Sequence, residues 1–392
     1  MTTQKPASMR HYGMDWLRVG AFALLILYHI AMVFIPWNYH VKSTHIVHWA
    51  VLPMLAINAW RLSLLFVVSG YASRALLRRT GNPGEFARNR SLRLLIPLAF
   101  GIIVVVPVQP WVELVTKYGF THSFAWFWLH DFFSFRTIDG LFLPNWNHLW
   151  FVGYLWVYTM VLIAGAALIR SNRVQQFFDR LFGGIGVLLI PMAWLLMVHT
   201  WWFPMVGETH MLFDDGIAHA AYFPAFLFGF ALGGSETVMR AIGRWWTVAA
   251  VLAMLGYATI LAIELHWTDN FLQGGTRITV YAGAHAVQQG SAVIALIGIA
   301  DRFWNHNYPI RATLTEAVFP FYIIHQTIIV FGMYLLLPAG LPGWAQFAIL
   351  LVATVAGCWL FYRVGRAIVP LRPLVGLRLH KPQRKESSLA VV

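Results

Sequence analysis

The chain has 392 residues, of which 59% are hydrophobic and 11% charged, and a formal net charge of +13. Soluble domains carry roughly 25% charged residues, so a chain this poor in charge cannot coat a water-facing surface and reads as an integral membrane protein. Its one cysteine, Cys358, excludes an intrachain disulfide.

The organisation follows from apolar runs long enough to cross a ~30 Å hydrocarbon core. Ten are expected, near residues 14–36, 52–77, 94–112, 148–169, 183–201, 218–234, 245–265, 277–300, 314–337 and 344–362. The runs are continuous rather than alternating, which argues against a β-barrel. The first run is longer than a signal-peptide core and lacks a small-residue cleavage site, so it is expected to be a span. The predicted fold class is all-α, a polytopic transmembrane helical bundle. The predicted divisions are a cytoplasmic segment 1–13, a membrane domain 14–362 and a basic cytoplasmic tail 363–392.

Loop charge sets the expected orientation. With the amino terminus inside, 23 of the 28 Lys and Arg fall on inner segments; the other five are Lys42, Arg61, Lys117, Arg136 and Arg277. This asymmetry predicts that both termini are cytoplasmic. The basic residues are spread over separate loops and the tail, so the net charge reports topology and no nucleic-acid partner is expected. The tail suits contact with anionic lipid headgroups. The outer loops, near 37–51, 113–147 and 202–217, are rich in Trp, His, Asp and Phe. They read either as interfacial aromatic belts or as a carbohydrate-facing surface. His40, His45 and His48 lie close together in "HVKSTHIVH". A metal site needs further converging ligands, and none is expected.

The first span, "MDWLRVGAFALLILYHIAMVFIPW", holds two residues foreign to a lipid helix. Arg18 and His29 are eleven residues apart, which is about 16 Å along a helix and close to three turns. They therefore share a face, Arg18 at the inner boundary and His29 at depth. Asp15 lies on the same face and can pair with Arg18. An arginine at the interface can snorkel. An imidazole at midplane either makes a structural hydrogen bond or marks a functional cavity. A neutral imidazole there can act as a base.

Arg61, in the outer half of the second run, must reach the surface, pair, or face a wet cavity. Ser69 and Gly70 follow it, and glycine permits close helix approach. Arg90 and Arg93 sit at the cytoplasmic mouth of the third run. They serve either as topology signals or as a guanidinium pair for the phosphates of a cofactor. Glu113, at the outer end of that run, could orient His29, bind an acceptor, or be a solvated loop carboxylate. His148 and Trp150 open the fourth run, and His325, followed by Gln326, lies within the ninth. These are candidates for lining a cavity, with packing or interhelical hydrogen bonding as the alternative for the two histidines. Glu316 reads as a helix-capping residue near the inner face.

"MDWLRVGAFALLILYH", "LFVVSGY", "RNRSLRLLIP", "NHLWFVGYLWVY" and "PFYIIHQTII" occur in that order between about residues 12 and 362. Together they resemble the membrane acyltransferase-3 family, in its branch related to the periplasmic-glucan succinyltransferase. The resemblance implies transfer of an acetyl or succinyl group from cytoplasmic acyl-CoA, a co-substrate rather than a bound cofactor, to a hydroxyl of an extracytoplasmic glycan or similar acceptor. It implies that His29 is catalytic, with Arg18, Arg90 and Arg93 on the donor. His29 would then serve as the base, or as a nucleophile through an acyl-histidine. A cation such as Arg61 could stabilise the oxyanion, and Glu113 is a further catalytic candidate. His148, Trp150 and His325 are then the candidates on the acceptor side. It places the protein in the plasma (inner) membrane, with no appended soluble domain. A transporter of anionic solutes would also use intramembrane Arg and His, but no internal repeat between the halves is evident.

Overall fold

The computed structural model describes residues 11–165, 172–203, 206–266 and 274–379. Lys5, Arg10, Arg170 and the end of the tail with Lys381, Arg384 and Lys385 lie outside them. Thirteen helices carry the fold: α1 (Tyr12–Met32), α2 (Val51–Asn58), α3 (Arg61–Thr80), α4 (Pro83–Phe100), α5 (Val108–Tyr118), α6 (Trp150–Ala164), α7 (Asn172–Phe182), α8 (Gly186–Met197), α9 (Gly216–Leu232), α10 (Glu236–His266), α11 (Gly274–Phe303), α12 (Ile310–Leu336) and α13 (Gly343–Ala367). It is an all-α membrane bundle. Among the described residues eight helical segments are long and apolar enough to cross a bilayer, or nine if α7 and α8, bent by 90°, count as one. The sequence gives ten runs because it cannot register that bend, nor that the run near 218–234 forms a helix of 17 residues.

Other boundaries shift for local reasons. The second run is broken between α2 and α3, which makes Arg61 the first residue of a helix. The third starts earlier than its apolar stretch. Asn82 caps Gly84 and Glu85 with its side chain, and Pro83 occupies the first helical position. Arg90 and Arg93 therefore stand on a helix rather than in a loop. A π-helical turn, Gly101–Val105, joins α4 toward α5, and the chain stays helical to Tyr118. It stops at Gly119, whose φ of +71° suits glycine. Glu113 is thus helical and 7% exposed, not a loop carboxylate. In the loop beyond, two strands, β1 (Arg136–Ile138) and β2 (Leu141–Leu143), form a hairpin on an Asp139-Gly140 turn.

Helix α1 is central, packing against α3, α11, α12 and α13. Its face toward α3 joins the main core through Phe22 and Leu25, beside Phe66 and Phe151. The tightest crossing is α3 on α9. A Cβ at Gly229 would lie 1.9 Å from the Val67 carbonyl oxygen, and one at Gly70 would lie 2.0 Å from that of Phe226. Both obstacles are backbone, so neither can swing away. Gly229→Ala is expected to cost about 1–3 kcal/mol or more, as overpacking does. The readout is a lowered melting temperature in detergent; an unchanged one would contradict the close approach.

His11 precedes α1 and its Nδ1 lies 2.7 Å from Asp301 Oδ1. That hydrogen bond raises the imidazole pKa above its usual value, against the opposing effect of burial. The folded value being raised, the stabilisation is complete below the unfolded pKa of about 6.5 and is lost as pH rises through the folded one. His11→Ala should therefore lower the melting temperature more at pH 5.5 than at pH 9. An equal loss at both would contradict the ion pair. Asp15, expected beside Arg18, forms an ion pair with Arg311 and also acts on Arg18 through its charge.

Candidate functional site

Two cavities lie along one face of α1. The one at the Arg18 end, of about 550 Å³, is lined by Arg18, Arg90 and Arg93, with Arg78, Arg79 and Ser69. The Arg90 guanidinium reaches Ser73 Oγ at 3.4 Å, while its Nε is buried without a partner. Among the described residues no carboxylate is in ion-pair contact with Arg18, Arg90 or Arg93. Asp15 and Glu236 also line the cavity, but its five arginines outnumber these two carboxylates, and half-buried cations in excess are costly. They make chemical sense as a receptor for a polyanion.

The cavity at the His29 end, of about 670 Å³, is lined by His29, Arg61, Glu113, His148 and Trp150, and by His40, Glu208 and Tyr222. Phe151 lines both cavities. Its ring lies 6.0 Å from Tyr322, which also meets Phe22 edge-on at 5.6 Å. These aromatic side chains form the partition between the two cavities.

His29 is held firmly. Its Nδ1 lies 2.8 Å from His325 Nε2. Tyr28 and Tyr39 rings flank it at 6.0 and 6.3 Å. His325 was expected to line the cavity; it is 0% exposed and sits behind His29. Its ring leaves α12 on the side that faces α1. Glu113 was a candidate to orient His29, but its carboxylate is taken by His40 Nδ1 at 2.6 Å and Lys117 at 2.7 Å. The helical run to Tyr118 turns it toward the loop after α1. His40 Nε2 in turn accepts from Gln326 at 3.0 Å.

Arg61 occupies an unfavourable place, a cation at a helix amino terminus. It donates to the carbonyl of Asn58 at 3.0 Å and to the Asn58 side chain. Its guanidinium lies 3.7 Å from the centre of the Tyr28 ring, and its Nε has no partner. His148 Nε2 donates to the carbonyls of Tyr322 and Ile323, both at 3.1 Å, so this ring ties the turn before α6 to α12. Trp150 is stacked on His210 at 4.4 Å.

The segment that follows α1 is held by Lys42, whose ammonium donates to the carbonyls of Met32, at 2.5 Å, Trp37, at 2.9 Å, and Ile35. Burial, with Lys117 nearby, brings its pKa down to about 8. Burial raises that of the Tyr39 phenol, keeping it protonated.

Sequence reading missed Glu208 and Tyr222, which hydrogen-bond one another across this cavity. Glu208 stands on an irregular loop held down by Asp215, which accepts from Tyr154 and from the His210 backbone, both at 2.8 Å. The only signal was the richness of that loop in Glu, His and Asp. Of the three clustered histidines, His40 lines the cavity, whereas His45 packs beside Gly343 and His48 begins a short 3-10 turn.

The acyltransferase domain family matches residues 11–363. Glucans biosynthesis protein C of Shigella dysenteriae serotype 1 (strain Sd197) is 25% identical over 260 residues, which is 64% of this chain and 66% of that protein. Proteins of the same name from Escherichia coli O17:K52:H18 (strain UMN026 / ExPEC) and Escherichia coli (strain K12) are each 24% identical over the same span. The match thus covers just under two thirds of these relatives' length. No solved structure matches.

Proposed function

The chain belongs to the membrane acyltransferase-3 family, and from that premise we propose that it transfers an acyl group, acetyl or succinyl, from cytoplasmic acyl-CoA to a glycan hydroxyl across the plasma (inner) membrane. The observation that carries this reading is the pair of cavities at the two ends of one α1 face. One has five arginines against two carboxylates; the other holds His29 among hydroxyl-binding groups. The relatives' name, with its reference to glucans, supports a carbohydrate acceptor. Both termini lie in the cytoplasm in this account, which sets the arginine cavity on the donor side.

Arg18, Arg90 and Arg93 bind the donor's phosphates through bidentate hydrogen bonds. The thioester arm then has about three helical turns to cover, roughly 16 Å, and passes the Phe151 partition to reach His29. His29 takes the proton of the acceptor hydroxyl as its oxygen attacks the thioester carbonyl. Arg61 stabilises the oxyanion. The carbon–sulfur bond breaks, and the departing thiolate recovers the proton from His29. Glu113 acts through His40, fixing the loop that closes the acceptor side, while His148 and Trp150 shape the cavity wall.

The test is release of free CoA thiol by purified protein in lipid, with and without candidate glycans. Acceptor-dependent thiol release is the expected result. Solute uptake without consumption of acyl-CoA would replace the enzyme with a transporter.

A further inference from the structure

The hydrogen bonds behind His29 define which of its nitrogens carries a proton. His325 Nδ1 lies 2.8 Å from the Tyr322 carbonyl oxygen. A carbonyl only accepts, so this nitrogen is protonated. In a neutral ring the other nitrogen, Nε2, then holds a lone pair. It faces His29 Nδ1 at 2.8 Å. Two lone pairs would repel at that distance, so His29 Nδ1 must carry the hydrogen. The remaining possibility, a cationic His325, would bury a charge at 0% exposure. Among the described residues no carboxylate is in ion-pair contact with it, and an unpaired buried charge is strongly disfavoured.

We infer that His325 is a positioning residue that locks His29 as its Nδ1–H tautomer and leaves the Nε2 lone pair for the acceptor hydroxyl. The inference rests on the proposed role of His29 as base. Rotation of the imidazole is blocked as well, because the His325 ring lies beside it at 5.0 Å, nearly coplanar at 19°. The Tyr322 carbonyl that sets His325 also accepts from His148 Nε2 at 3.1 Å. One backbone oxygen therefore fixes two imidazoles.

The arrangement performs a triad's orienting task with a neutral partner. When His29 Nε2 takes the hydroxyl proton, its Nδ1–H still points at His325 Nε2, and the positive charge is shared over two rings. The proton at Nε2 leaves again with the CoA sulfur, so the pair returns to its starting state. A carboxylate in place of His325 would hold the same tautomer but put a formal charge at membrane depth before each turnover.

Two variants and one spectrum test this. His325→Phe removes the acceptor and should lower kcat on the order of 10²-fold, as misplacement of a reacting group does, with the KM for acyl-CoA unchanged. His325→Gln offers its side-chain oxygen to the same Nδ1–H and should recover at least tenfold of that loss. In protein labelled with ¹⁵N-histidine, the His29 signals, assigned by their absence from His29→Gln, should show a protonated Nδ1 and a bare Nε2. His325→Phe should shift the population toward the other tautomer. A bare Nδ1 in the wild-type spectrum overturns the inference, even if neither variant folds. So does full turnover by His325→Phe while His29→Gln is inactive. Turnover by His29→Gln itself would instead sink the role of His29 as base, whatever the spectrum shows.

Discussion

His29→Gln is expected to stop acyl transfer while the protein still folds and binds donor. Glutamine has comparable polarity and can donate to His325 through its amide, so the local packing survives. It cannot accept the hydroxyl proton at neutral pH. General acid–base catalysis contributes about 10²–10⁴-fold, and a loss of that size or greater should be read in kcat from single-turnover thiol release. The geometry sharpens the expectation. His29 lines the larger cavity while its other edge is bound to His325, so no neighbouring histidine can replace it without moving. His148 has Nε2 committed to backbone carbonyls and Nδ1 at 3.4 Å from Gln109. Most of wild-type turnover remaining in a folded His29→Gln protein would show that the imidazole is structural.

The second large effect is expected at the other end of α1. Arg90→Ala combined with Arg93→Ala should raise the KM for acyl-CoA by roughly 10- to 100-fold or more, at about 1.5–3 kcal/mol for each hydrogen bond to a charged group. The acceptor KM and kcat should change less, because phosphate contacts bind ground state and transition state alike. Losing two unpaired cations also removes mutual repulsion, so the double variant should be at least as heat-stable as the parent. An unchanged donor KM in that folded protein would leave Arg90 and Arg93 as topology signals only.

Much of this site was legible because it sits where helix period and bilayer depth speak together. Eleven residues bring Arg18 and His29 onto one face, and a midplane imidazole stands out in any apolar run. Arg90 and Arg93 were visible by charge, although their helix begins at Pro83 through a cap that apolar counting ignores. The partner of His29 was out of reach. His325 lies 296 positions away, and no local rule says which face of α12 meets α1. Glu113 was misplaced by a boundary: the apolar run fades before the helix ends at Gly119. Glu208 belongs to a loop without period, where side-chain direction is set by the anchoring of Asp215 rather than by spacing. The run near 218–234 forms only a 17-residue helix and the 90° bend between α7 and α8 is a matter of packing, neither of which hydropathy, a reading of composition, registers.

The account stands on sidedness: donor at the arginine cavity, product at the histidine cavity. Sealed vesicles holding protein of one orientation, established by labelling a cysteine placed at position 82, test it directly. Acyl-CoA carrying a labelled acyl group is supplied on the side of position 82 and the glycan on the other, then the two are exchanged. The account predicts labelled glycan only in the first arrangement, and none with His29→Gln. Labelled glycan when both substrates are confined to one face, or only in the exchanged arrangement, would contradict it.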